Sequence, residues 1–175
     1  MRLEAVDGDI TRQAVDAIVN AANPSLLGGG GVDGAIHAGA GPGLLEECRE
    51  LRRTSHRGGL AVGDAVATGA GDLPARWVVH TAGPNRHAGQ RDPALLASCF
   101  SRSLEVAAGL GAATVAMPAV GAGIYGWDVD EVAAVAIGAV RETAAAGRAH
   151  GVELVRFVLF GDAPHAAFER ALAAA

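Results

Sequence analysis

The chain contains no lysine; all 14 of its basic residues are arginine. Two chemistries are thereby excluded. No Walker A lysine can hold a β- or γ-phosphate, and no lysine Schiff base can form. Cysteine is scarce as well: Cys48 and Cys99 are the only two, far apart and outside any C-x-x-C. That speaks against a disulfide scaffold and for a reducing cytoplasm. Aromatic residues make up only 4% of the chain, so the core should be aliphatic. No apolar run reaches the ~18 residues of a membrane span. The N-terminus lacks a basic-then-apolar signal pattern. The expectation is a soluble cytoplasmic protein, a monomer by default, with no membrane partner. No cluster of His, Cys and Asp has ligand spacing, so no metal site is expected. No serine stands in G-x-S-x-G. The net charge of −5 argues against broad nonspecific binding to nucleic acid.

Glycine, by contrast, is abundant: 25 of 175 residues, about twice the usual ~7% share. The length suits one domain over residues 1–175. Short apolar runs alternate with longer helical patterns. Strands are expected at 2–6, 16–22, 64–70, 76–83, 114–121 and 155–161. Helices are expected over 34–51, interrupted near Gly41-Pro42, and over 93–110, 128–147 and 164–175. This alternation implies an α/β fold, and strands 64–70 and 76–83 have no helix between them, so the sheet should be mixed. In such folds ligands bind beyond the carboxyl ends of strands. Four motifs fall there and should converge on one rim: Asn20-Ala-Ala-Asn23, His80-Thr-Ala-Gly83, Gly121-Ala-Gly-Ile-Tyr-Gly126 and Phe160-Gly-Asp162.

Gly121–Gly126 matches G-x-G-x-x-G between a strand and a helix. It lies late in the domain, and the acid about 20 residues on, Glu142, sits inside a helix, so a dinucleotide oxidoreductase is rejected. The local physics remains: N–H groups of a glycine-rich turn before a helix cradle an anion. Gly28–Gly31 opens another helix in the same way. Two such cradles on one rim suit a diphosphate. Asp33 reads two ways, as an N-cap for a helix starting near Gly34 or as a carboxylate that orients or deprotonates a water. Asn23 reads as a turn residue before Pro24 or as a holder of a sugar hydroxyl. Tyr125, the only tyrosine, lies between loop glycines and reads as a ring over a sugar or base in preference to a core residue. Phe160 reads equally as core or as a stacking platform. Asp9 reads as a cap of the short segment 10–14. His37, one helical turn past Asp33, reads as a packed or capping residue. His80 reads as a hydrogen-bonded core residue, and both cysteines as inert core thiols. The segment 85–92 is polar and reads as a mobile rim that decides the acceptor.

Four stretches together resemble the macrodomain family, specifically the MacroD-type ADP-ribosylhydrolases: GDIT (8–11), VDAIVNAANPSLLGGGGVDGAIH (15–37), LPARWVVHTAGP (73–84) and PAVGAGIYG (118–126). The resemblance implies a three-layer α/β/α sandwich with a central mixed sheet. It implies binding of ADP-ribose without a cofactor, and hydrolysis of the ester joining mono-ADP-ribose to acidic side chains of proteins or to acetate. ADP-ribosylated nucleic-acid ends are a further acceptor class, and a non-catalytic ADP-ribose reader is the alternative. Asp33 falls on the family's catalytic aspartate and Asn23 on its ribose-contacting asparagine. Asp9 falls on its adenine-binding aspartate, with the Ile10 N–H beside it. Gly30, Gly31 and Val32, and Gly121, Ala122, Gly123 and Ile124, fall on the loops around the diphosphate and distal ribose. Tyr125 falls on the aromatic residue over that ribose, and Phe160 on the one stacking adenine. Gly121-Ala122-Gly123 replaces the more usual Ser-Thr-Gly, so backbone contacts to phosphate must suffice. Ala38 stands where many relatives have Arg.

Overall fold

Apolar alternation along each strand decides which face meets which helices. The computed structural model describes residues 1–175. Strand β1 (Arg2–Asp7) leads through a short 3-10 turn to β2 (Ala17–Ala22). Helices α1 (Gly31–Ala40) and α2 (Pro42–Arg53) follow, then β3 (Ala65–Gly69) and β4 (Trp77–Ala82). Next come α3 (Pro93–Gly109), β5 (Thr114–Met117), α4 (Val129–Ala145), β6 (Leu154–Leu159) and α5 (Asp162–Ala174). The sheet order is β1-β6-β5-β2-β4-β3. Every pair is parallel except β3 with β4, which is antiparallel, as the missing helix between them requires.

Successive residues on a strand point to opposite faces. Val19, Val79, Val115 and Phe157 pack with α3, α4 and α5 in the larger core. Ile18, Val78, Ala116 and Val158 pack with α1 and α2 in the smaller one. The molecule is thus helices, sheet, helices. With few aromatics, alanines such as Ala133, Ala136 and Ala139 let α4 lie close, and one ring pair, Phe157 and Phe168, sits with centroids 5.0 Å apart. No helix is long and apolar enough to cross a membrane.

Two boundaries near the strand ends differ from the sequence reading. The strand expected over 114–121 ends at Met117, because Pro118 has no N–H to continue the ladder. That frees 118–126 as a loop. The helix expected from Gly34 begins earlier, at Gly31; its break falls at Gly41 (φ 81°), with Pro42 opening α2, where the interruption was expected. The 3-10 turn at Ile10–Arg12 lies within the capped segment expected over 10–14, whereas the one at Arg86–Ala88 falls in a segment expected only to be polar and mobile.

Candidate functional site

The four strand-end motifs do converge. One cavity of about 720 Å³ is lined by Asn23 after β2, Gly83 after β4, the 118–125 loop after β5 and Phe160 after β6. All thirteen residues singled out from the sequence line it: Asp33 and Asn23; Asp9 and Ile10; Gly30, Gly31 and Val32; Gly121, Ala122, Gly123, Ile124 and Tyr125; and Phe160.

Asp33 is the third residue of α1, and Gly30 holds the cap position, so the N-cap reading fails. Asp33 is 4% exposed. Its Oδ1 accepts from Asn20 Nδ2 at 2.8 Å and lies 3.3 Å from His37 Nε2. Its Oδ2 accepts no hydrogen bond from the protein and is therefore the oxygen available to the cavity. His37 thus faces Asp33 and does more than pack or cap.

The glycine run now has a stereochemical reason. A Cβ on Gly29 would stand 3.1 Å from Asp33 Oδ2 and 3.3 Å from Asn23 Nδ2. A Cβ on Gly34 would stand 2.8 Å from the Gly29 carbonyl. Glycine lets the turn lie flat between the asparagine and the aspartate. The N–H groups of Gly30, Gly31, Val32 and Asp33 donate to no protein acceptor, as expected of a helix start. Asn23 is committed in part to the turn: its Oδ1 accepts from Ser25 N (3.1 Å) and from the Ser25 hydroxyl, and its Nδ2 donates to Gly28 O at 2.9 Å. One amide hydrogen remains for a ligand.

Across the cavity, the N–H groups of Gly121, Gly123, Ile124 and Tyr125 also lack protein acceptors. Two sets of unpaired donors therefore border one cavity, although Ala122 and Gly123 carry no hydroxyl. At Gly121 (φ 85°) a Cβ would meet the Trp127 ring at 2.9 Å, so a side chain there would require the ring or the loop to shift. Segment 85–92 is no free rim. Arg86 N donates to Tyr125 O (2.9 Å), Arg86 pairs with Glu131 (2.9 Å) and stacks 4.7 Å from the Trp127 ring centroid, and Trp127 Nε1 donates to Pro84 O (2.9 Å). The segment braces the 121–126 loop from outside.

At the other end, Asp9 does cap its 3-10 turn. The Thr11 hydroxyl (2.6 Å) and the Thr11 N–H (2.9 Å) donate to its Oδ1 and hold the carboxyl below the usual carboxylate range. The Ile10 N–H beside it has no protein acceptor. Phe160 is 90% exposed, which removes the core reading. The cavity thus runs from an aromatic and a carboxylate near β1 and β6, past two donor sets, to a buried carboxylate near β2.

The Macro domain family model matches residues 19–136. The chain belongs to the macrodomain family. A Streptomyces griseus macro domain-containing protein is 55% identical over 168 residues, which is 96% of this chain and 93% of the relative. A Klebsiella pneumoniae protein named O-acetyl-ADP-ribose deacetylase is 47% identical over 171 residues, covering 97% of this chain and 95% of that one. The solved Oceanobacillus iheyensis macrodomain with ADP superposes with a TM-score of 0.89 at 38% identity, covering 98% of this chain and 90% of that one. The mixed six-stranded sheet between helical layers is the macrodomain fold that the sequence resemblance implied.

This macrodomain also has a residue that the sequence reading passed over. Asn20 is fully buried on β2, with its amide on Asp33. The available signal was a lone amide within an otherwise apolar strand, since buried amides require partners.

Proposed function

We propose that this macrodomain hydrolyses ester-linked ADP-ribose, releasing it from acetate and from glutamate or aspartate side chains of proteins. One observation carries the reading: a buried carboxylate with one oxygen tied and the other free, beside two sets of unpaired N–H groups. The ADP bound by the Oceanobacillus macrodomain and the name of the Klebsiella relative support the ligand class. Adenine lies at Asp9 and Ile10, stacked on Phe160. The diphosphate spans Gly30–Val32 and Gly121–Ile124. The distal ribose sits among Asn23, Asp33 and Tyr125. Asp33 Oδ2 orients a water toward the ester carbonyl. The water oxygen bonds to the acyl carbon, the bond from that carbon to the ribose oxygen breaks, and the ribose oxygen takes up the proton. No cofactor enters.

The test is release of ADP-ribose from a glutamate-modified protein by wild type and by Asp33→Ala. Loss of the positioned carboxylate should lower turnover about 10²- to 10⁴-fold while ADP-ribose still binds. Tight binding of ADP-ribose without release by wild type would make the protein a reader. Full turnover by Asp33→Ala would remove Asp33 from the chemistry.

A further inference from the structure

Behind Asp33 a line of polar groups crosses three strands, away from the cavity. Asn20 on β2 stands in register with His80 on β4, and Thr68 on β3 is its diagonal neighbour on the same face. All three are buried. Asp33 Oδ1 to Asn20 Nδ2 is 2.8 Å, Asn20 Nδ2 to His80 Nδ1 is 3.1 Å, His80 Nε2 to Thr68 Oγ1 is 2.9 Å, and Thr68 Oγ1 to Gly69 O is 2.9 Å.

The ends of this line decide every proton in it. The Gly69 carbonyl can only accept, so the Thr68 hydroxyl donates to it. The hydroxyl oxygen is then an acceptor, and His80 Nε2 must carry the hydrogen that reaches it. Burial, and then the nearby His37, push the His80 ring down to about 3, so the ring is neutral and its Nδ1 is bare. That bare nitrogen accepts one hydrogen of the Asn20 amide, and the second hydrogen goes to Asp33. A primary amide nitrogen bears two donors on one atom, which is what a line running between two acceptors needs. The opposite amide orientation would set Asn20 Oδ1 against the Asp33 carboxylate. In the observed one Asn20 Oδ1 is buried without a partner. Cys48 Sγ, 3.8 Å from His80 Nε2, does not compete as a thiolate, because burial foremost pushes its thiol up to about 11. His37 Nε2 lies 3.3 Å from Asp33 Oδ1 at the other end, and the His37 ring stands 6.4 Å from that of His80, centroid to centroid.

We propose that Thr68 and His80 are positioning residues: they lock the Asn20 amide with its N–H toward Asp33, which ties Oδ1 and turns Oδ2 to the cavity. The kinetic consequence rests on the hydrolase reading; the tautomer of His80 does not. The experiment compares wild type, Thr68→Ser and Thr68→Val. Nitrogen-15 histidine NMR should show wild-type His80 with Nε2 protonated and Nδ1 bare, unchanged in Thr68→Ser and lost as a single form in Thr68→Val. With O-acetyl-ADP-ribose, Thr68→Val should lose about ten-fold in kcat with KM and calorimetric ADP-ribose affinity near wild type, because a slightly misaimed carboxylate slows chemistry without loosening the ligand. Thr68→Ser should restore kcat.

A proton on His80 Nδ1 in wild type overturns the proposal. So does a Thr68→Val protein that keeps wild-type kcat, or one that loses kcat while His80 keeps its tautomer. If the wild type itself has no turnover, the hydrolase reading fails, and the two His80 tautomer results alone decide the orienting role of Thr68.

Discussion

Alanine at Gly29 should slow turnover without loosening the fold. The backbone φ at Gly29 is not in the left-handed region, so alanine is conformationally allowed. Its Cβ would lie 3.1 Å from Asp33 Oδ2 and 3.3 Å from Asn23 Nδ2, where ordinary contact starts near 3.4 Å, so both must give by a few tenths of an ångström. Misplacing a reacting group by about 1 Å is worth about 10²-fold, so this displacement should lower kcat about four- to ten-fold. Folding should register little. Gly to Ala at a permissive site gains up to about 1 kcal/mol through the unfolded chain, which offsets strain of similar size. The melting temperature should therefore stay within about 4 °C of wild type. Gly30→Ala is the companion, since a Cβ there meets no protein atom within 4 Å. It should act on KM through the ligand, with a stability loss of no more than about 1 kcal/mol from the poorer helix cap. The assay is kcat and KM on O-acetyl-ADP-ribose with thermal melts of all three proteins. Wild-type kcat in Gly29→Ala would refute the claim that the Asp33–Asn23 geometry limits the chemistry.

Phe160→Ala removes a ring that is 90% exposed at the end of β6. Stability should change by less than about 0.5 kcal/mol, whereas calorimetry should show ADP-ribose binding weakened by about 1–3 kcal/mol of lost base stacking. Unchanged affinity would remove the adenine from this end of the cavity. His80 makes the protein acid-sensitive. Its pKa falls from 6.5 to about 3 on folding, so below pH 6.5 the unfolded chain binds a proton that the native ring refuses. Stability from this group is full above pH 6.5 and declines as pH falls toward 3, by about 2 kcal/mol at pH 5. Urea titrations at pH 7 and pH 5, with the neutral His80 ring followed by NMR, check this. A protonated His80 in the folded protein at pH 5 would contradict it.

The strands and helices were legible because their signals are local: apolar runs, turn residues and helical spacing. So were the two donor sets, since glycine next to a helix start announces free N–H groups in one short stretch. The errors were local competitions as well. Pro118 ended β5 early, and Gly30 rather than Asp33 took the cap. What sequence could not provide was the order of the strands. His80 was read as a hydrogen-bonded core residue, which its burial bears out, but its partner on β2 lies 60 positions away. Nothing near Asn20 shows that β4 will lie beside β2 in register. The same holds for segment 85–92, which is polar in sequence yet anchored on Tyr125, Trp127 and Glu131. The residues that would touch a ligand are carried by contiguous motifs, and those that hold them in place come from strands that meet only in the fold. A substitution scan restricted to the motifs would therefore find the carboxylate and miss what aims it.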